Sequence, residues 1–157
     1  MQGVIKSYDP GTGDGVVIRE ADLAEFGTAP SQVVARLVRW ERDVWGLFLE
    51  IGKPLIAALH GYVVGSGVEI ACLCDLRMAS EDAVFRMPEA ALGMVPAAGG
   101  TQTLPRVMGA GHALDVLLTG RQVGAREAKR IGLVHRVVLR DGLLPEATRL
   151  AAVIASL

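Results

Sequence analysis

Residues 55–79 read LIAALHGYVVGSGVEIACLCDLRMA. The segment 55–59 is short and wholly apolar, the pattern of a strand covered on both faces. The glycine-punctuated stretch 61–67 predicts a tight turn. The apolar-rich run after it predicts a helix to about Leu73 or Cys74. Residues 75–79 predict the next strand. Strand, glycine turn, helix and strand in that order describe an α/β core whose parallel strands are joined by right-handed crossovers.

Upstream, residues 3–20 predict an atypical N-terminal β-hairpin. Val4-Ile5 and Val16-Val17-Ile18 are β-branched runs, and the segment DPGTGDG at 9–15 is dense turn chemistry. Between 30 and 51 the spacing becomes helical. Val34, Leu37, Val38, Val44, Trp45 and Phe48 fall largely on one side, with Arg36, Arg39, Glu41 and Arg42 mostly on the other. Gly52 closes that helix and Lys53-Pro54 opens the next element. Downstream, short helices are predicted at 100–108, 111–118 and 125–131, a strand at 133–138, and a final amphipathic helix at 143–156.

The chain has 157 residues, enough for a single domain over 1–157 with a real hydrophobic core. It is 51% hydrophobic, contains 19 glycines and carries a net charge of −1. Near-neutrality argues against a nucleic-acid or acidic-membrane binder, which carries a basic excess. Aromatic residues, at 4%, are too sparse for a base-stacking platform. With no basic-then-apolar leader and no apolar run of about 18 residues, no membrane span is expected, and the expected compartment is the cytoplasm.

Glu69 and Glu89 stand out chemically. Both lie in surroundings short of charge, where a carboxyl group is unfavourable unless it has a partner or a task. Paired carboxylates can share a proton and do acid–base work on one substrate, titrating as a coupled unit. Taken singly, each has an ordinary explanation. Glu69 is a first-turn glutamate favoured by the helix dipole, and Glu89 follows Pro88 in the first turn of a short helix. The step Gly65-Ser66-Gly67 aims backbone N–H groups at one point and suits an oxyanion, although glycines there also permit close packing. Ile70 stands where a dinucleotide fingerprint needs its third glycine, and no Gly-Lys-Ser/Thr follows for a phosphate loop.

The remaining chemistry-bearing residues have structural readings. Cys72 and Cys74, two apart on a helix, do not share a face and are expected to be buried, inert thiols. His60, His112 and His135 share no metal-ligand spacing, so no metal is expected. Trp40 and Trp45 are packing anchors, and Arg126, Lys129 and Arg130 form a solvated helix face.

Several segments together carry a family resemblance. They are KPLIAALHGY at 53–62, GSGVEIA at 65–71, Cys74-Asp75, FRMPEA at 85–90, LGMVP at 92–96, GGTQ at 99–102, Leu118-Thr119-Gly120, and AREA at 125–128 through Gly132-Leu133-Val134. In order and spacing over roughly 50–138 they resemble the crotonase (enoyl-CoA hydratase/isomerase) superfamily. The resemblance implies a crotonase-like (ClpP/crotonase) α/β core of ββα-type repeats, truncated at both ends relative to full-length members. It implies an acyl-CoA thioester substrate whose carbonyl lies between two backbone N–H groups, with two glutamates acting on one water.

Carried over residue by residue, the glutamates are Glu69 and Glu89, in roles the sequence leaves open. Ser66 N–H, flanked by Gly65 and Gly67, is one oxyanion donor. Ala21 N–H, with Asp22 and Leu23 beside it, is the other. Ser66 replaces the family's usual glycine but keeps the N–H, whereas Glu20 replaces an expected glycine next to the Ala21 donor. The implied reaction is enoyl-CoA hydratase-like, adding or removing water across the α,β double bond, with no cofactor beyond the coenzyme A of the substrate. Family likeness also implies a homo-oligomer, trimer or hexamer, and leaves a CoA-phosphate contact open for the Arg126–Arg130 face. The alternative is a catalytically impaired fragment serving as an assembly or regulatory subunit. The N-terminal hairpin resembles the start of a cold-shock domain but lacks most of its aromatic ladder, so RNA binding is not expected.

Overall fold

The computed structural model describes residues 6–8, 15–17 and 44–157. In chain order the elements are β1 (Lys6–Tyr8), β2 (Gly15–Val17), α1 (Val44–Glu50), β3 (Ile56–Leu59), β4 (Tyr62–Val64), α2 (Ser66–Leu73), β5 (Leu76–Ser80) and β6 (Val84–Arg86). A 3₁₀ turn at Glu89–Leu92 follows, then α3 (Gly100–Met108), α4 (Ala110–Thr119), β7 (Gln122–Gly124), α5 (Ala125–Arg130) and β8 (Arg136–Val138). A 3₁₀ turn at Arg140–Gly142 leads into α6 (Leu143–Ala155).

The plan is a repeated ββα unit that deals its strands to two sheets. In the pairs β3-β4 and β5-β6 the first strand joins one sheet and the second the other; β8 completes the parallel sheet β3-β5-β8. β7, which precedes β8 and is followed by α5, completes the sheet β4-β6-β7, with β4 and β6 parallel and β7 antiparallel to β6. β1 and β2 pair antiparallel, Ser7 opposite Val16, as the hairpin expectation requires. The strand lies at Lys6–Tyr8, one position beyond the Val4-Ile5 run, which itself lies outside the described residues.

Burial follows from side-chain alternation. All four residues of β3 are buried, as expected of a strand covered on both faces. Ile56 and Ala58 pack with Met78 and Leu143, beneath the Ala147, Leu150, Ala151 and Ile154 stripe of α6. Ala57, Leu59 and Ala79 turn the other way, into the larger core with Phe85, Leu104 and Leu133. In the second sheet only the central residue of each strand points inward. Val63, Phe85 and Val123 stand in register as one buried row.

The expected helices at 100–108, 111–118, 125–131 and 143–156 are all present within a residue or so of their expected ends. Two expectations need correction. Residues 61–67 are not all turn: Tyr62–Val64 form β4, because Val63 can be buried while its neighbours pair along the backbone with β6. The strand expected over 133–138 is confined to Arg136–Val138, and Leu133 and Val134 are instead buried in the bend before it. Of the long helix expected over 30–51, Val44–Glu50 is helical, Ile51 lies just past its end, and 30–43 fall outside the described residues.

Candidate active site

Glu69 lies in the first turn of α2, and its own N–H donates to Gly65 O at 3.1 Å, the bond that starts the helix. Its carboxyl is 2% exposed. Oε1 accepts N–H bonds from Ala98 at 3.0 Å and Gly100 at 2.8 Å. Gly100 opens α3, so the carboxyl occupies that helix's N-terminus, where backbone donors have no intrahelical acceptor. The fit is tight. A Cβ on Gly100 would lie 2.9 Å from Glu69 Oε1.

Glu89 comes from the next repeat and packs against Gly65, the residue that precedes α2. β6 ends at Arg86, whose carbonyl accepts the Gly65 N–H at 2.9 Å. This bond sets the residue before α2 against the chain leading to Glu89. Gly65 has φ +55°, and a Cβ there would lie 2.9 Å from Glu89 Oε1. A glycine is therefore required twice over, for its left-handed backbone and for the space taken by the carboxyl. Glu89 is 9% exposed, and its Oε2 is buried with no hydrogen-bond partner among the described residues. A buried oxygen left in that state is unusual.

Ser66 is the first residue of α2, and Val68 and Glu69 already use the Gly65 carbonyl. The Ser66 and Gly67 N–H groups thus precede the first intrahelical bonds and sit at the positive end of the helix. The N-terminal turn of α2 accordingly gathers Gly65, Ser66, Gly67, Glu69 and Glu89. Ala21, Asp22 and Leu23 lie outside the described residues. The contributions of Ala98 and Gly100 are additions that the sequence reading missed. They act through backbone N–H groups, and the only sequence signal was the Gly99-Gly100-Thr101-Gln102 match.

Elsewhere the thiols are buried as expected. Burial pushes Cys72 up to about 11 and Cys74 up to about 12, against the opposing pull of the Arg77 charge. Such thiols are poor nucleophiles. Trp45 is half-buried against the core, and Arg126, Lys129 and Arg130 are exposed. Arg121 is held by Asp115 and Glu127 at 2.7 and 2.9 Å, an ion-pair cluster on the α4–β7–α5 surface. Among the described residues no helix is long and apolar enough to cross a membrane.

Alternating ββα units shared between two sheets define a crotonase-type fold. The sequence model of the enoyl-CoA hydratase/isomerase family matches residues 20–156, and the chain belongs to that family. It is similar to a protein named "Probable enoyl-CoA hydratase" in Mycobacterium leprae, at 48% identity over 115 residues, covering 73% of this chain and 45% of the relative. It is also similar to a crotonyl-CoA hydratase of Syntrophomonas wolfei, at 40% identity, covering 93% of this chain and 56% of the relative. Among solved structures, an enoyl-CoA hydratase of Bacillus anthracis superposes with a TM-score of 0.81 at 39% identity, over 87% of this chain and 53% of that one. The chain spans about half the length of the curated relatives it matches.

Proposed function

We propose that this chain carries enoyl-CoA hydratase chemistry, adding water to, or removing it from, the α,β double bond of an acyl-CoA thioester. What supports the reading is the contrast between two buried carboxyl groups, one in the first turn of α2 and one packed against Gly65 just before it. Glu69 is braced by two backbone N–H groups, while Glu89 presents a buried oxygen with no partner among the described residues. In the proposed reaction the pair holds one water between them. Glu69 supplies a fixed acceptor that orients the water. Glu89 Oε2 exchanges a proton, since its protonation breaks no existing hydrogen bond. Proton transfer to or from the α-carbon and addition at the β-carbon are then shared between the two groups.

The thioester carbonyl gains negative charge as the enolate forms. Ser66 N–H, ahead of the first bonds of α2, is the proposed donor to that oxygen, with Ala21 N–H as its counterpart and Asp22 and Leu23 beside it. Gly65 and Gly67 keep the approach to Ser66 open. The chemistry draws on carboxyl groups and backbone N–H groups, so coenzyme A enters only as part of the substrate. We further propose that the chain works as an oligomer. Support comes from the large apolar side chains it leaves exposed, among them Leu92, Val95, Leu118 and Leu139.

Spectrophotometric loss of the conjugated double bond of crotonyl-CoA tests this reading. The purified chain is expected to hydrate it, and Glu89→Gln to lose at least about 100-fold in kcat with the fold retained. Absence of hydration by a folded chain that also fails to bind the thioester overturns it.

A further inference from the structure

Arg77 sits at the opposite end of α2 from Ser66 and has no part in the proposed chemistry. β5 carries it into the interior at 6% exposure. Its Nε donates to Leu133 O at 2.8 Å and its Nη1 to Cys74 O at 2.5 Å. Among the described residues no carboxylate lies in ion-pair contact with it; two carbonyl oxygens hold the cation, and the Asp75 charge acts on it from farther off. Cys74 is the residue that ends α2, and its own N–H donates to Ala71 O at 3.1 Å. Leu133 lies in the bend before β8. The backbone of Arg77 makes a second tie to that bend, donating to His135 Nδ1 at 3.0 Å and accepting from His135 N–H at 2.9 Å.

One side chain therefore joins the end of α2 to β5 and to the segment entering β8. A cation there complements the negative end of the helix dipole. The planar guanidinium spans two acceptors at once, which a lysine ammonium does not reproduce. Stability alone accounts poorly for it. A buried cation with no carboxylate in contact is unfavourable, the more distant Asp75 charge offsetting only part of the desolvation, and an apolar side chain of similar length would fill the space without that penalty.

We propose that Arg77 is a positioning residue that fixes α2 along its axis, and through that short helix sets Glu69 and the Ser66 N–H at its other end. α2 has eight residues and is about 12 Å long, so displacement of one end is transmitted to the other. The kinetic part of this inference rests on the hydratase reading; the structural part does not.

The test compares wild type, Arg77→Met and Arg77→Lys in the full chain by amide hydrogen exchange, with α4 as internal reference, and by hydration kinetics. Protection in α2 is expected to fall about tenfold or more relative to α4 in Arg77→Met, and less in Arg77→Lys. In the same variants kcat is expected to fall about tenfold or more while KM stays within about threefold, as for a catalytic group set slightly out of place. If Arg77→Met does not fold, Arg77→Lys carries the same comparison, because it keeps the charge and loses the fork. A fall in α2 only in step with α4, or no fall, overturns the proposal and reduces Arg77 to a contributor to global stability. Selective loss in α2 with an inactive wild type supports the clamp and sinks the hydratase reading. An active wild type with unchanged kcat in both variants sinks the clamp and leaves the hydratase reading standing.

Discussion

Replacing Gly100 by alanine sets two effects of opposite sign against each other. Gly100 opens α3 and is not among the glycines with positive φ, so alanine is conformationally acceptable there and favours a helix by up to about 1 kcal/mol. The added Cβ, however, would meet Glu69 Oε1 at 2.9 Å, Pro96 Cβ at 2.9 Å and Glu69 Cγ at 3.0 Å. Glu69 cannot yield without loosening its bonds from Ala98 N–H at 3.0 Å and Gly100 N–H at 2.8 Å. A hydrogen bond to a carboxylate contributes about 1.5–3 kcal/mol, so losing one outweighs the helix gain. The expected net loss is about 0.5–2 kcal/mol, a Tm lower by about 1–8 °C. Gly111, near the start of α4, is the control, since a Cβ there meets nothing within 4 Å. Gly111→Ala is expected to gain about 0.4–1 kcal/mol. Calorimetry on the two variants decides the matter. A Tm that rises in Gly100→Ala as it does in Gly111→Ala would refute the claim that Glu69 is packed and bonded against this glycine.

Two further outcomes follow from the same geometry. Gly65→Ala forces a left-handed backbone on alanine and drives its Cβ to 2.9 Å from Glu89 Oε1. Denaturant titration is expected to show a loss of about 1–3 kcal/mol, accompanied by reduced hydration; unchanged stability would count against the placement of Glu89. His135 is held below its ordinary value by burial and by the charges of Arg77 and Arg136. The unfolded chain therefore binds this proton at higher pH than the folded one. The stability His135 contributes is present above its unfolded value, about 6.5, and is lost as pH falls through its lower folded value. The ring is largely exposed, so the slope is shallow. His135→Asn should flatten it in denaturation midpoints measured between about pH 5 and 7, and an identical profile in the variant would exclude His135 as its source.

Where side-chain pattern decides structure, the sequence was legible. Residues 55–59 read as a doubly covered strand because every side chain is apolar, and α6 because its apolar stripe recurs at helical spacing. β4, β6 and β7 were not legible. Each is three residues long with one buried side chain, and each exists through pairing with distant chain, such as Val84 with Gly124. The same division holds at the site. Glu69 and Glu89 stood out as carboxyl groups in surroundings short of charge, and the family resemblance joined them. The bracing of Glu69 comes from the backbone of Ala98 and Gly100, which leaves little trace in residue type. Arg77 read as an ordinary strand residue, because nothing in its local sequence reveals the two carbonyl oxygens that tertiary folding brings to it.

In the proposed reaction Glu69 and Glu89 act together on one water. Steady-state hydration of crotonyl-CoA by Glu69→Gln, Glu89→Gln and the double variant, each checked for retained fold, tests it most directly. Each single change is expected to lower kcat by about 10²–10⁴-fold. The double variant is expected to be no slower than the worse single one, because a unit already broken cannot be broken again. Losses that multiply in the double variant, or a single variant with wild-type kcat, would contradict it.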